Sequence, residues 1–396
     1  VVSPSVSARV FEAMLRLQFN VVIPSSFVDL RNPVEARLIE DATRRGLLVT
    51  MHHVEPLGVS AFGFDNFWKD RGQPVPFAIT QQRDKFHEIW REYALRWAKF
   101  APQVIWQLGL RGIADRPVWM ADPGVPKSDE GRGRLISDAM AAQWEIVRSV
   151  DPRPEPLATT TLWMEGAALH AAGHLNFPPG VAVIFSDNSP GWELQSDFHT
   201  VAREPGRAYG IYYHHQLWGS GPHLVQGVSP QKTHAIFKLA VQRDSTHYAM
   251  LNVSNVREFV LGLDASARML RDFPAFDPDK FLTAWCAARF GAQAKAAEAA
   301  YRSHFASFVA DPATGKRALL DGECVHTGVR LAKSLAMQLE NGGKSDGKTA
   351  GLLKKLRAQR ERVEQAGADA EAIAAKLNGA SRALFESNFL AQHKIM

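Results

Sequence analysis

Pro102-Gln-Val-Ile-Trp-Gln-Leu-Gly-Leu110 and the residues that follow it directly, Arg111-Gly-Ile-Ala-Asp115, indicate the fold of this chain. The first segment is apolar and long enough to form one buried strand. The arginine and the aspartate come just past the carboxyl end of that strand, where barrel enzymes carry their catalytic groups. Polar residues end apolar runs in the same way at several places downstream, so the pattern predicts the organisation of the whole chain.

Short apolar runs alternate with amphipathic stretches as far as about residue 270. Regular alternation of strands and helices favours parallel β-α-β units. The runs are continuously apolar, as expected for strands that are covered on both faces. The predicted strands are Phe19–Ile23, Gly46–Met51, Gln103–Leu108, Leu157–Leu162, Val181–Ser186, Ala208–Tyr213 and His247–Val253. The predicted helices are Ser7–Gln18, Pro33–Arg45, Gln81–Phe100, Gly133–Val150 and Pro230–Val241.

These patterns predict an α/β fold, a (β/α)8 barrel that lacks its first strand in this chain, because seven strands are one short of closure. After about residue 275 alanine, leucine, lysine and glutamate become abundant, which predicts a helical bundle. We therefore predict a barrel domain over residues 1–272, incomplete at its N-terminus, and a helical domain over residues 273–396. The predicted helices of the second domain are Asp279–Ala310, Gly328–Asn341, Ala350–Gln365 and Asp369–Ala391.

The composition is that of an ordinary globular chain. Its 396 residues are 46% hydrophobic and 22% charged, with a net charge of only +5. No apolar stretch reaches the roughly 18 residues of a membrane span, so no membrane partner is expected. The basic excess between Lys344 and Arg362 has no interleaved aromatic residues, which favours a solvated helix face over a nucleic-acid surface. Cys286 and Cys324 show no metal-ligand spacing and leave the compartment open.

Polar residues follow the carboxyl ends of six successive predicted strands. Because parallel strands bring these ends to one face, we expect the groups to converge on a common pocket. Singly, each also has a structural explanation, such as a local ion pair for Arg111 with Asp115 or turn chemistry for Asp187. The residues, in chain order, are His52, His53, Glu55, Arg111, Asp115, Trp163, Glu165, Asp187, Asn188, His214, His215, Asn252 and Asn255.

This inventory suits the chemistry of sugars. Glycoside hydrolysis uses one carboxylic acid to protonate the leaving oxygen and a second carboxylate as nucleophile or activator of water. Asp115 and Glu165 follow adjacent predicted strands, and Arg111 can clamp a substrate carboxylate bidentately. The Tyr212-Tyr213 pair is interpreted as barrel packing. The tryptophans that offer faces for sugar rings near the rim are Trp119, Trp163, Trp192 and Trp218.

The ordered series of motifs resembles glycoside hydrolase family 115, the xylan α-1,2-glucuronidases. The resemblance runs from the first helix to about residue 310. No single motif is decisive, but the order of the series is specific. Its segments are Leu15-Arg-Leu-Gln-Phe-Asn20, His52-His-Val-Glu-Pro56, Leu108-Gly-Leu-Arg-Gly-Ile-Ala-Asp115, Leu162-Trp-Met-Glu165, Ser186-Asp-Asn-Ser-Pro-Gly191, Gly210-Ile-Tyr-Tyr-His214, Leu251-Asn-Val-Ser-Asn-Val256 and Phe281 to Gly291.

The resemblance implies an inverting enzyme that removes α-1,2-linked glucuronic acid, or its 4-O-methyl form, from xylan. It implies Glu165 as the general acid and Asp115 as the partner carboxylate, with roughly 6.5–9.5 Å between the two carboxyl groups if the enzyme inverts. It implies no metal and no cofactor, a polysaccharide or oligosaccharide partner with uronic acid decoration, homodimers, and a secreted or periplasmic location. The implied substrate-binding residues are Arg111, His53 (preferred over His52), His52, Asn188, Asp187 and His214.

The sequence departs from the family pattern at several positions. Val54 is an extra residue in the usual His-His-Glu-Pro run, and Ser186 stands where aspartate is usual. Leu217 replaces a tyrosine, and Ser254 and Asn255 stand in place of glycine and aspartate. We expect the acidic residue of the first barrel strand to lie outside this chain.

Two alternatives to a uronosyl hydrolase stay open. The departures from the family pattern favour a non-catalytic carbohydrate-binding relative. Histidines at strand ends instead favour a metal-dependent barrel hydrolase, in which His52, His53 and His214 would be the ligands.

Overall fold

The computed structural model describes residues 3–188, 193–216, 224–253, 256–311, 313, 316–317, 321–340, 342 and 347–396. The chain forms two compact units. The first unit comprises Val1–Ser186, Leu194–Tyr212 and Ala240–Met250, and the second comprises Asp187–Glu193, Tyr213–Leu239 and Leu251–Met396. The sequence predicts a domain boundary at residue 272. The two units do not test that boundary, so it stays a prediction.

Seven parallel strands form a nearly closed barrel among the described residues, which confirms the predicted fold class. Neighbours in the sheet are also neighbours in the chain, as in successive β-α-β units. The register between two central strands runs from Ala158 opposite Val181 to Leu162 opposite Phe185. The strands are β1 Val21–Val22, β2 Leu48–Thr50, β3 Val104–Leu108, β4 Ala158–Leu162, β5 Val181–Ser186, β6 Tyr209–His214 and β7 Tyr248–Asn252.

The strands of the barrel are rich in β-branched and aromatic residues. All five residues of β3 are buried, as expected for a strand that is covered on both faces. Gln107 adds a polar contact inside, because its Oε1 accepts hydrogen bonds from the hydroxyls of Thr159 (3.2 Å) and Thr161 (3.1 Å) on β4. The neighbouring Trp106 donates its indole N–H to the Asp151 carboxylate, just before β4, at 2.7 Å. These contacts hold β3 and β4, the two strands that lead into the candidate site.

The helices that accompany the strands mostly follow the prediction, with four additions. Residues 61–70, 165–171, 196–200 and 260–271 form helices that the apolar periodicity did not predict. The helix predicted from Gly133 begins at Asp129, because the Ser128 side chain accepts a hydrogen bond from the Gly131 N–H and caps it. The α-helices before residue 275 in the described ranges are α1 Pro4–Arg16, α2 Pro33–Arg44, α3 Ala61–Asp70, α4 Arg83–Trp97, α5 Asp129–Val150, α6 Glu165–Ala171, α7 Ser196–Thr200, α8 Pro230–Gln242 and α9 Val260–Arg271.

The region after residue 275 is helical, as predicted. The helix predicted over Asp279–Ala310 is interrupted at Gly291, whose φ of +51° lies in the left-handed region that favours glycine. A short antiparallel pair, β8 Val309–Asp311 and β9 Lys316–Arg317, follows and was not predicted. The helices are α10 Pro278–Phe290, α11 Ala294–Ser307, α12 Asp321–Glu340, α13 Gly347–Gly367, α14 Ala370–Lys376, α15 Gly379–Phe385 and α16 Ala391–Ile395. None of the helices in the described ranges combines the length and the apolar character that a bilayer crossing requires.

Candidate active site

The peptide that leads from β3 into Arg111 is held by a buried side chain of α5. Gln143 accepts a hydrogen bond from the Gly109 N–H (2.9 Å) and donates one to the Gly109 carbonyl oxygen (2.8 Å). Gln143 is 0% exposed, so the contact fixes the direction of the chain at this point. The sequence reasoning missed Gln143. Its position within the apolar stripe of Met140 and Val147 was the available signal.

The turn after Arg111 is tight and strained. The Gly112 N–H donates to the carbonyl oxygen of Arg116 at 2.7 Å, and a Cβ at Gly112 would lie 2.9 Å from a backbone carbonyl oxygen. Ala114 and Asp115 adopt left-handed conformations with φ of +54° and +57°. Such a conformation costs about 1–2 kcal/mol for a residue with a Cβ, and this kind of strain is concentrated at functional sites. This turn places the Asp115 carboxylate next to the Arg111 side chain.

The guanidinium of Arg111 contacts both predicted catalytic carboxylates. Its Nε lies 2.8 Å from Oδ1 of Asp115, and its Nη1 lies 2.8 Å from Oε2 of Glu165. Nη1 also donates to the Trp163 carbonyl oxygen at 3.2 Å, and Nη2 donates to the Asp115 carbonyl oxygen. The side chains of Arg111 and Glu165 are 8% and 13% exposed, whereas that of Asp115 is 42% exposed. Two carboxylates from adjacent strand ends are therefore held at one cation.

The pKa values of the two carboxyl groups shift in opposite directions. Burial raises the pKa of Glu165, and the negative charge of Asp115 adds to that effect, while the Arg111 charge opposes it without cancelling it. Burial also acts to raise the pKa of Asp115. There, however, the hydrogen bond from His53 and the charges of His53, Arg111 and His52 outweigh burial and leave the pKa below its usual range. Glu165 is thus biased towards the acid form and Asp115 towards the carboxylate.

The paired histidines after β2 have different partners. The His53 Nε2 lies 3.2 Å from Oδ1 of Asp115, and the His53 side chain is only 5% exposed. The His52 Nε2 lies 3.3 Å from the Tyr212 hydroxyl oxygen. The Tyr212 ring is also 5.8 Å from that of His53 and 6.5 Å from that of Trp163, measured between centroids. Tyr212, interpreted from sequence as packing, therefore belongs to this cluster, and its hydroxyl at a strand's carboxyl end was the signal.

Glu55 holds the loop that carries the histidines. Its carboxylate accepts hydrogen bonds from the backbone N–H groups of Phe27 and His52, the latter at 3.3 Å. Burial raises the pKa of Glu55 to about 8, although both N–H donors act to lower it. The extra residue Val54 lies within a closed turn, since the Glu55 N–H donates to the His52 carbonyl oxygen at 2.8 Å. One buried carboxyl group thus links the loops that follow β1 and β2.

In the second unit, Asp187 and His214 form a buried pair. Oδ1 of Asp187 lies 2.7 Å from Nδ1 of His214, and Oδ2 accepts the His214 backbone N–H at 2.8 Å. Both side chains are almost completely buried. The neighbouring His215 contacts the Ser266 hydroxyl at 2.9 Å, and burial lowers its pKa to about 4, with the His214 charge acting in the same direction. The predicted substrate-binding roles of Asp187 and His214 stay predictions.

Of the other residues that the sequence predicted for the site, some have contacts in the structure and the rest lie outside the described residues. Asn188 exchanges hydrogen bonds with the Glu193 backbone, donating its own N–H at 2.7 Å and accepting through Oδ1 at 3.2 Å. The Asn252 carbonyl oxygen accepts the His215 N–H. The Trp119 ring is covered by the Arg132 guanidinium at 4.2 Å. The predicted positions that lie outside the described residues are Ser189 to Trp192, Leu217, Trp218, Ser254 and Asn255.

The part of the chain that the structure describes contains no group of three or more histidine, cysteine, aspartate or glutamate side chains arranged to hold a metal ion. His52 and His53, two ligands of the proposed metal alternative, instead contact Tyr212 and Asp115.

Comparison with known proteins gives a family and a fold. The sequence model of glycosyl hydrolase family 115 matches residues 2–311. A solved structure described as a family GH115 4-O-methyl-α-glucuronidase with specificity for decorated arabinogalactans superposes with a TM-score of 0.73 at 16% identity, over 99% of this chain and 49% of that chain. This chain therefore spans about half the length of that protein, and the likeness at this identity concerns the fold. An O-GlcNAc hydrolase variant from Thermobaculum terrenum gives a TM-score of 0.43 at 10% identity, over 98% of this chain and 79% of that chain. No curated protein matches the sequence significantly.

Proposed function

This chain belongs to glycosyl hydrolase family 115, and on that basis we propose that it hydrolyses uronic acid-decorated polysaccharides at Arg111, Asp115 and Glu165. The observation that carries the proposal is the contact of one guanidinium with two carboxyl groups whose pKa values shift in opposite directions. Glycoside hydrolysis needs one protonated and one ionised carboxyl group beside the scissile bond. The local environments of Glu165 and Asp115 favour these two states.

In the proposed reaction Glu165 is the general acid and Asp115 is the general base. A water oxygen attacks the anomeric carbon while the bond from that carbon to the leaving oxygen breaks. The Glu165 proton goes to the leaving oxygen, and the water gives a proton to Asp115. His53 supports this role, since a proton on its Nε2 is directed at the Asp115 carboxylate at 3.2 Å.

Substrate binding is proposed for the remaining predicted residues. Arg111 forms ion pairs with Asp115 and Glu165, and its Nη1 and Nη2 donate hydrogen bonds to the carbonyl oxygens of Trp163 and Asp115. It would have to give up one of these contacts in order to bind a substrate carboxylate. Its first role in the proposal is therefore to hold the two carboxyl groups. His52, with its Tyr212 partner, adds polar groups in the same unit. The contributions of Asp187, Asn188 and His214 are carried over from the family resemblance.

The proposed substrate is xylan that carries α-1,2-linked glucuronic acid or its 4-O-methyl form. The superposing structure is described as specific for decorated arabinogalactans, so a glucuronic acid-bearing arabinogalactan is the second polymer to compare. Inversion at the anomeric carbon is part of the proposal, as is the homodimer implied by the family resemblance.

The test is incubation of the full-length protein with glucuronoxylan and, separately, with arabinogalactan, followed by quantification of released uronic acids. The first turnovers are followed by proton NMR, which distinguishes the anomers. We expect release of the uronic acid with inverted configuration. Both Asp115→Ala and Glu165→Ala are expected to lose release, whereas Glu145→Ala, an exposed carboxylate on α5, serves as the matched control.

Retained turnover in both site variants would refute the assigned residues. A product of retained configuration would refute the inverting mechanism, but the protein would still be a glycoside hydrolase. Binding of xylan oligosaccharides by the full-length protein without any release would favour the non-catalytic alternative. Loss of activity on chelation, with recovery on adding zinc or manganese, would favour the metal-dependent alternative.

A further inference from the structure

Four large apolar residues are exposed in the segments that follow four successive strands. Phe27 follows β1, Phe62 follows β2, Ile113 follows β3 and Met164 follows β4. Their exposed fractions are 49%, 50%, 45% and 56%. We call this set the apolar rim; all its members belong to the first unit. Single exposed apolar residues need no explanation, whereas exposed apolar residues that lie together mark interaction sites.

The two aromatic members contact each other and remain half exposed. The ring centroids of Phe27 and Phe62 are 5.6 Å apart, and their planes meet at 84°. Phe27 has a φ of +62°, in the left-handed region. This conformation is unfavourable for a bulky side chain, and an exposed ring gains little from burial in return. Strain of this kind persists where the surroundings enforce it and is characteristic of ligand sites.

The surroundings that enforce it are those of the candidate active site. The Phe27 N–H donates to the buried Glu55 carboxylate, which also accepts the N–H of His52. Phe62 is in the first turn of α3, and α3 lies against the turn Ile113–Asp115. Along the chain, Ile113 is two residues before Asp115, and Met164 directly precedes Glu165. Two members of the apolar rim, Ile113 and Met164, are thus on the loops that carry the two carboxyl groups. Phe27 and Phe62 are joined to the same site through Glu55 and through α3.

We infer that the apolar rim is the subsite for the polysaccharide backbone from which the uronic acid is removed, with Phe27 and Phe62 packing against unsubstituted sugar rings. This inference rests on the proposed function. The leaving oxygen must be beside Glu165, so the sugars attached to it extend away from the carboxyl groups. The C–H faces of pyranose rings are apolar and pack on aromatic side chains. A neutral backbone needs no charged partner, and the rim residues carry no charge.

The experiment compares a long and a short substrate in the full-length protein. The long substrate is glucuronoxylan, and the short one is aldobiouronic acid, in which a single xylose remains. For Phe27→Ala and Phe62→Ala we expect the ratio of kcat/KM on the long substrate to that on the short one to fall about tenfold. Phe62→Tyr, which keeps a ring, is expected to restore the ratio. The matched control is Leu95→Ala, which removes an apolar side chain 47% exposed on α4.

Binding of unsubstituted xylohexaose, measured by calorimetry, tests the rim without any turnover. Weaker binding in Phe27→Ala and Phe62→Ala than in Leu95→Ala would support the apolar rim as the backbone subsite. If the protein also released no uronic acid, only the proposed function would fail. The opposite result is an active protein in which neither variant changes the kcat/KM ratio of long to short substrate or the affinity for xylohexaose. That result would refute the role of the apolar rim, and the proposed function would still stand. A protein that neither releases uronic acid nor binds xylohexaose refutes both.

Discussion

Nη1 of Arg111 lies 2.8 Å from Oε2 of Glu165, while Nε of the same guanidinium lies 2.8 Å from Oδ1 of Asp115. The guanidinium spreads its charge over nitrogens that lie apart, so it forms ion pairs with two carboxyl groups at once, which the compact point charge of a lysine does not reproduce. The same cation influences both protonation states. It lowers the pKa of both Glu165 and Asp115, and burial overcomes this effect only at Glu165.

Arg111→Lys tests this arrangement. We expect kcat/KM to fall on the order of 100-fold, because a single ammonium group cannot replace contacts made by separate nitrogens. With the Arg111 contact weakened, the pKa of Glu165 rises further, so the alkaline limb of the pH profile moves to higher pH. The measurement is the pH dependence of kcat/KM on a uronic acid-decorated oligosaccharide. Arg134→Lys, at an exposed ion pair on α5, is the control. A profile unchanged in position would contradict the electrostatic part of the argument.

Replacement of the acid and of the base should have different consequences for different leaving groups. A nitrophenolate needs no protonation to depart, so Glu165→Gln is expected to retain most activity on an aryl uronoside. On the natural linkage the same variant should lose about 10²- to 10⁴-fold in kcat. Asp115→Asn should be impaired on both substrates, because water must still be activated. The ratio of the two rates in each variant is the measurement, and equal losses in Glu165→Gln would rule it out as the acid.

The contact between His53 and Asp115 predicts a shift of the acidic limb. Hydrogen bonding and charge from His53 help to keep the pKa of Asp115 low against the effect of burial. Removal of the imidazole in His53→Ala therefore raises that pKa, and the pH at which the base loses its proton moves upward. We expect the acidic limb of kcat/KM to move to higher pH, with partial recovery in His53→Gln, which keeps an N–H donor. An acidic limb at the same pH in all three proteins would show that His53 does not influence the pKa of the catalytic base.

The sequence predicted central strands such as Val104–Leu108 well because both of their faces are covered, and such a run is then apolar except for Gln107. Arg111, Asp115 and Glu165 were predictable as neighbours because the carboxyl ends of parallel strands share one face. An ion pair between Arg111 and Asp115 was one of the explanations that the sequence left open, and the structure contains it. The contact of the same guanidinium with Glu165 was not predictable, since it depends on how the two strand ends are placed in the folded chain.

Roles that depend on tertiary burial were not predictable for the same reason. Gln143 was missed, and Glu55 was expected near the pocket without its structural role. Both are polar types that usually face solvent, and only the folded chain shows them buried against backbone N–H groups. Phe27 gives no periodic signal in the sequence. Its significance comes from its exposure and its backbone conformation, which neither apolar spacing nor composition encodes.

The buried carboxyl group of Glu55 makes the stability of the protein depend on pH. Its pKa is about 8 in the folded chain, against an ordinary value of 4.5. Below pH 4.5 the group is protonated in both states and contributes no pH dependence. Between these two values the unfolded chain loses the proton and the folded chain keeps it, so the free energy of unfolding falls as pH rises. The slope reaches at most about 1.4 kcal/mol per pH unit.

Glu55→Gln removes this ionisation. Its amide oxygen can still accept the Phe27 N–H, at the expense of the longer 3.3 Å contact with His52. We expect the free energy of unfolding of the variant to decline less than that of the wild type between pH 5 and pH 8, since the amide has no proton to lose. Urea denaturation at the two pH values measures the difference. Glu40→Gln, at an exposed position of α2, should behave like the wild type. The same decline in all three proteins would mean that Glu55 is ionised in the fold at neutral pH and receives enough from its two N–H donors to offset burial.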